Sequence, residues 1–418
     1  MNSNNITEKK FYYIWLQKFL GVGNNSIFEI IEEFGGVDKI YKADTAELKK
    51  SEFITPADIR RMTRINEAVI IKAIEYCRSN NIRIITPEDN EYPNRLRNIE
   101  SPPAVIFARG LPLENDTPAL AVVGARQATD FGLKAALSLS ARLSLSGFTI
   151  ISGGALGIDS MAHYGAIAAE GKTVMILGCG IDSDYLKSQD RLRKQTEMNG
   201  TVISEFLPKT PAAKYTFPIR NRLISALSDG VAVIEAGIKS GTLITANYAM
   251  EQGKDVFALP GNINMPQYAG TNTLIRDGVV PLISVDDIIQ VYLGRFGDKI
   301  KTENELSPEM KKRLCSCPMN SKKANTNLKK TYKDKDREQT VPTAKKKQTE
   351  PAKKAVEDLN CSSSAKSVYS AFVNQTEPAD ILCLRSGIIG SAFISAITEL
   401  ELLGLIKAVP VGCYCLLA

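Results

Sequence analysis

Nine consecutive residues carry the densest chemistry in this sequence. Lys214-Tyr-Thr-Phe217-Pro-Ile-Arg220-Asn-Arg222 holds three cations and two aromatic rings. Cations interleaved with ring faces suit a single-stranded nucleic acid: bases stack on the rings while the charged groups neutralise phosphates. The same residues could instead open a helix, with a hydrophobic staple and solvated arginines. Proline restricts the residue before it, so Phe217 is expected in extended backbone, with a helix beginning near Ile219 or Arg220.

Small-residue turns offer a second kind of chemistry. In Val123-Gly124-Ala125-Arg126 a glycine permits close backbone approach to an anion, and the arginine adds a planar donor fork or stays a surface residue. Ser152-Gly153-Gly154-Ala-Leu156-Gly leads towards His163, the only histidine. Ser240-Gly241-Thr242 presents hydroxyls and amides at a helix start, either to an anion or as a cap. Lys172 stands directly before a further apolar run. His163 has no nucleophile paired with it in the sequence and reads as a packing or hydrogen-bonding residue. None of the turns is G-x-G-x-x-G, so no dinucleotide cofactor is expected. The eight cysteines are scattered and their C-x-C pairs lack zinc spacing, which predicts no metal and reduced thiols in a cytoplasmic protein.

These residues need a frame that brings them together. Six short apolar runs, 119–123, 149–152, 173–177, 201–204, 230–235 and 255–259, are rich in β-branched residues and bounded by Gly, Pro and Ser. Continuous hydrophobicity predicts strands covered on both faces, and the intervals between most of them accommodate helices. The fold class is therefore α/β, an open, doubly wound parallel sheet. A helix is expected to start near Thr129 or Asp130, either of which could cap it.

At 418 residues the chain is long enough for two or three domains. Residues 1–109 read as a helical front domain plus connector. Its 11–20 segment, the Leu20-Gly-Val-Gly23 turn and the amphipathic 27–34 segment look like half of a helix-hairpin-helix. An ordinary helix connection is favoured over a phosphate-binding turn there. Residues 81–86 could add a small strand before a proline-punctuated connector. Residues 110–293 hold the sheet, and 294–365 read as a disordered lysine-rich linker. Between Pro308 and Lys354, fifteen Lys/Arg stand against five Asp/Glu, so a chain of net +6 has a remainder of −4. Anion binding by the folded parts must then come from a local patch. Residues 366–418 read as three short helices and a hairpin, a winged helix-turn-helix for which duplex contact and protein contact are both open. No run is apolar and long enough to span a membrane, and the N-terminus shows no export cleavage site.

Six blocks in order, AVVGARQATDFG, TIISGGALGIDSMAHYGA, GKTVMILGCGID, FPIRNRLIS, IEAGIKSGTLITA and FALPG, followed by GTNTLIRDG, resemble the DNA-processing protein A (DprA/Smf) family. The resemblance implies an extended Rossmann-like fold with no established catalytic reaction. It further implies binding of single-stranded DNA, loading of the RecA recombinase during natural transformation and recombination, and a homodimer. By motif, Arg126 matches the arginine of the family's Gly-Ser-Arg, and Lys172 the lysine before the third strand. Lys214 and Phe217 match its lysine and base-stacking phenylalanine, with Arg220 and Arg222 lining the same groove. Two departures stand out: Ala125 replaces the usual serine, and Leu156 stands where a cation is common. The alternative implied by related Rossmann-like sheets is a nucleoside-monophosphate phosphoribohydrolase-like enzyme. Such enzymes carry a catalytic glutamate after a P-G-G-x-G-T loop; here the region running from Glu235 has none after its threonine.

Overall fold

The computed structural model describes residues 3–185, 187–310, 361–372, 376–378, 382, 385–388, 390–409 and 413–417. The chain forms two compact units, Met1–Leu328 and Lys329–Ala418.

In the first unit six helices come first: α1 (Ser3–Leu20), α2 (Ile27–Phe34), α3 (Val37–Lys42), α4 (Thr45–Leu48), α5 (Pro56–Met62) and α6 (Glu67–Ser79). Asp44 and Thr55 each close a capping box at the start of the following short helix, and Pro56 sits where the absent amide costs nothing. Strands β1 (Arg83–Ile85) and β2 (Ile106–Gly110) follow. The repeating part then runs β3 (Ala119–Val123), α7 (Asp130–Leu145), β4 (Thr149–Ser152), α8 (Ile158–Ala168), β5 (Thr173–Leu177), α9 (Asp190–Asn199) and β6 (Gly200–Ser204). It continues through α10 (Thr216–Leu227), β7 (Gly230–Val233), α11 (Gly241–Glu251), β8 (Asp255–Ala258), α12 (Ala269–Arg276), β9 (Val280–Pro281) and α13 (Asp286–Phe296).

The nine strands make one sheet in the order β1-β2-β6-β5-β4-β3-β7-β8-β9. Strands β3 to β9 pair in parallel, whereas β1–β2 and β2–β6 are antiparallel. The sheet is thus mostly parallel rather than wholly so. Its antiparallel edge comes from 83–85 and 106–110, which the sequence reading assigned to the front domain and its connector. Along β3, Leu120 and Val122 pack under α7 and α8, while Ala119, Ala121 and Val123 face α10 and α11. That two-sided burial is why the strands read as continuous apolar runs.

The front helices share a core with the sheet: Trp15, Phe19, Ile27 and Ile40 lie in one cluster with Met175, Leu177 and Val202. The half-buried glycine turn at 20–23 is tied to the sheet rather than left as an open anion cradle. The Gly23 amide donates to the Glu205 carboxylate, and Gln17 Nε2 donates to the Glu205 carbonyl at 2.5 Å. The unit also extends past residue 293, since Ile300 and Leu306 are buried and Thr302 opens a capping box with Glu305. Residues 294–310 therefore belong to the folded body instead of the expected linker, most of which lies outside the described residues.

In the second unit, α14 (Ser363–Ser370) and α15 (Gly390–Leu402) pack around Phe372, Leu382 and Phe393. A three-stranded antiparallel sheet joins β10 (Thr376–Pro378), β12 (Cys413–Leu416) and β11 (Ile406–Val409), with β12 central. The expected hairpin is present, and an additional strand pairs with it. Most of the second expected helix, 378–384, lies outside the described residues. No helix among the described residues is long and apolar enough to cross a membrane.

Candidate functional site

Chain order reverses between β3 and β7: β4, β5 and β6 succeed one another on one side, β8 and β9 on the other. Loops leaving such a pair at their C-terminal ends diverge and leave a crevice. Here it is a cavity of about 250 Å³ lined by Gly124, Arg126, Asp159, Phe217, Ser240, Gly241 and Thr242. Thr129 and Ser240 cap α7 and α11 through hydrogen bonds to the Gly132 and Thr242 amides, which fixes where both loops enter their helices.

Phe217 sits at the mouth. Its ring has the Arg126 guanidinium 4.9 Å from its centroid, the Arg220 guanidinium at 5.9 Å and the Tyr185 ring at 5.5 Å. A side chain on Gly178 would bring its Cβ within 2.7 Å of the Phe217 ring, so glycine at the end of β5 is what lets the ring lie there. Phe217 is half-buried, Lys214 and Arg126 are exposed, and Tyr215 is 68% exposed. Contrary to the expectation of an extended Phe217, α10 begins at Thr216 and includes it. Pro218 is tolerated because first-turn amides have no partner within the helix anyway. A smaller hollow beside the ring is lined by Gly153, Gly154, Tyr185 and Arg193.

The floor is buried electrostatics. Arg220, 5% exposed, donates through Nη1 to the Gly153 and Ile176 carbonyls and through Nε to Asn221. Asp159 accepts from the amides of Ala155, Gly124 and Gly153. Burial raises the Asp159 carboxyl above its ordinary value, with the Arg220 charge opposing; burial lowers the Arg220 guanidinium, with Asp159 opposing. Two of the strand-end glycines thus already hold an anion, the protein's own carboxylate. Arg220 is a fixed positive charge under the cavity, not a flexible surface contact.

The structure gathers Gly124, Arg126, Gly153, Gly154, Phe217, Arg220, Ser240, Gly241 and Thr242 around this crevice, with Lys214 two residues before α10. Two predicted residues do not join them. Arg222 is 4% exposed and donates to both Glu205 oxygens at 2.7 Å, on the side facing the front-domain turn. The period of a helix explains this, since two residues from Arg220 is the opposite face. Lys172 lies at the N-terminal end of β5, the far end of the strands, where its ammonium pairs with Glu114. His163 is fully buried with Nδ1 2.8 Å from the Thr173 hydroxyl, and burial, with the Arg220 charge assisting, pushes its imidazole down to about 3. Sequence reading missed Tyr185, Arg193, Asn221 and Asp159. The first two follow the C-terminal end of β5, and the strand-end rule for open sheets would have found them.

A family model described as DNA recombination-mediator protein A matches residues 83–293, half of the chain. The chain belongs to that family. Protein Smf of Synechocystis is 32% identical over 68% of this chain and 72% of its own length. DNA processing protein DprA of Bacillus subtilis is 37% identical over 51% of this chain and 72% of its own. The X-ray structure of DNA processing protein A from Streptococcus pneumoniae superposes with a TM-score of 0.57 at 31% identity, covering 67% of this chain and 97% of that one. The family match spans the sheet from β1 to α13, so the whole crevice belongs to the shared part.

Proposed function

We propose that the protein is a non-catalytic binder of single-stranded DNA that loads a RecA-type recombinase onto the strand during DNA uptake and recombination. It acts on this reading as a cytoplasmic homodimer. The observation that carries the reading is the half-buried Phe217 ring, flanked by Arg126 and Tyr185 at the mouth of the crevice. Base–aromatic stacking needs an accessible ring with cations nearby, and this geometry supplies both. Exposed Lys214 and Arg126 neutralise phosphates, while Arg220 contributes charge from below. Membership of a recombination-mediator family supports the loading role.

The enzyme alternative has a weaker footing in the same crevice. Glu235, the carboxylate at the end of β7, is fully buried and held by the Thr129 amide, the Thr129 hydroxyl and the Tyr268 hydroxyl. Within the tail unit, α14, α15 and the three-stranded sheet fit a winged helix-turn-helix.

The deciding experiment is fluorescence anisotropy of labelled oligo-dT across salt concentrations, with duplex as competitor. Selective, salt-sensitive binding that weakens in Phe217→Ala and Lys214→Ala is expected. Equal affinity for duplex, or indifference to both substitutions, would sink the reading. Loading is tested separately, by whether the protein accelerates RecA ATP hydrolysis on DNA already coated by a single-strand-binding protein.

A further inference from the structure

Lys172, displaced from the DNA crevice, stands instead at the mouth of a second cavity at the opposite end of the sheet. Its origin is architectural. On the α10 face the helix ends at Leu227, and the segment 111–117 roofs the N-terminal ends of β4, β5 and β6 without filling the space beneath it. A volume of about 210 Å³ remains, walled mostly by apolar atoms of Ile151, Val174, Leu227 and Leu113. Apolar cavities of about 150 Å³ stay dry and accept a benzene ring, so this one has room for a ring carrying a small substituent.

The polar groups at its edge define the substituent. Lys172 and Glu114 pair at the rim with side chains 52% and 41% exposed. Such an exposed pair contributes about 0–1 kcal/mol, so an incoming carboxylate can replace Glu114 on the ammonium at little cost. Arg95, the other charged lining residue, is already held by the Leu227 and Thr117 carbonyls and Asp229, which leaves Lys172 as the ammonium a ligand could reach. Between rim and floor the Thr117 and Thr149 hydroxyls face each other at 3.4 Å, longer than a firm O–H···O bond, leaving capacity for a further polar atom.

We infer that this cavity is a binding site for a small aromatic carboxylate, its ring against Ile151, Val174 and Leu227 and its carboxylate on Lys172. The site is separate from the crevice where DNA is proposed to bind, and it stands whether or not that proposal does.

The test is ligand-observed saturation-transfer NMR on the full chain, with benzoate as the acid and toluene as its neutral counterpart. Benzoate is expected to show transfer and to weaken roughly three- to fivefold in Lys172→Met, with toluene unaffected by that change. Thr149→Phe, which fills the cavity, should abolish transfer to both; circular dichroism checks that the variant is folded. If it is not, the Lys172→Met comparison decides alone, because an exposed lysine does not hold the fold. Three results would overturn the inference: no transfer to benzoate, benzoate binding unchanged in Lys172→Met, or displacement of benzoate by oligo-dT.

Discussion

The two ends of the parallel sheet are built from the same strands yet offer opposite chemistry. At the C-terminal end, strand-end glycines and helix starts converge on a polar crevice with exposed cations and the half-buried Phe217 ring. At the N-terminal end, the strands meet a short roof over an apolar pocket, with the exposed Lys172–Glu114 pair at its rim. The difference follows from direction: parallel strands send every helix N-terminus to one end, where anions are welcome. A cation near the sheet therefore cannot be assigned a role until its end of the strand is known. Arg126 and Lys172 are both cations beside strands, and only Arg126 stands at the crevice.

The largest effect expected from breaking this arrangement is structural. Arg222→Ala leaves Glu205 buried without its ion-pair partner and unlatches the front-domain turn from the sheet. Loss of one partner of a buried pair costs about 3–5 kcal/mol, read as a fall in the urea midpoint. DNA affinity per folded molecule should stay near wild type, since Arg222 lies outside the crevice. A folded Arg222→Ala protein with affinity lowered at unchanged stability would put Arg222 back among the DNA ligands.

A second stability test concerns His163. Its folded-state value of about 3 lies below the ordinary 6.5, so the unfolded chain takes up the proton first. The contribution is complete above about pH 6.5 and is lost as pH falls towards 3, at roughly 1.4 kcal/mol per pH unit. Asp159 and Glu205, raised by burial, titrate with the opposite sign. The quantity to measure is therefore wild type minus His163→Gln by denaturant unfolding from pH 7 to pH 4. A difference that does not change with pH would contradict the burial of a neutral imidazole.

At the crevice, Phe217→Ala should weaken oligo-dT by about 1–3 kcal/mol with little change in salt dependence, because it removes stacking and no charge. Lys214→Ala should do the reverse, lowering the slope of log K against log salt by about 0.7 for one phosphate contact on a single strand. Matching salt slopes in the two variants would mean that ring and ammonium do not divide the work in this way.

Much of this arrangement was legible in the sequence. The runs 119–123, 149–152 and 173–177 coincide with β3, β4 and β5, because strands buried on both faces leave a continuous apolar signature. Helix α10 starts earlier than the sequence predicts, because Pro218 sits within the first turn instead of marking the boundary. The small strand expected within 81–86 is β1, but its antiparallel partner β2 was missed because it is short and preceded by prolines. For the site, residue type was readable and residue facing was not. Arg220 and Arg222 look alike in a cluster of cations, and only helical phase sends one beneath the crevice and the other to Glu205. Asp159 was invisible because its burial depends on packing across the sheet, with Gly124 from another loop joining Gly153 and Ala155 of its own turn as donors.

The smallest effect is the sharpest test of the two-ended view. Lys172 carries the same charge as Lys214, so a protein that bound DNA by diffuse attraction would lose comparable affinity when either was removed. With a Debye length of about 8 Å at physiological salt, a lysine at the far end of a strand is screened from a strand bound at the near end. Lys172→Ala should thus leave both oligo-dT affinity and its salt slope within error of wild type at 0.15 M salt. Any loss should appear only at low ionic strength, where screening relaxes. A loss of affinity at 0.15 M salt matching that of Lys214→Ala would mean that bound DNA reaches around to the N-terminal end, and the crevice would then be one stretch of a longer track.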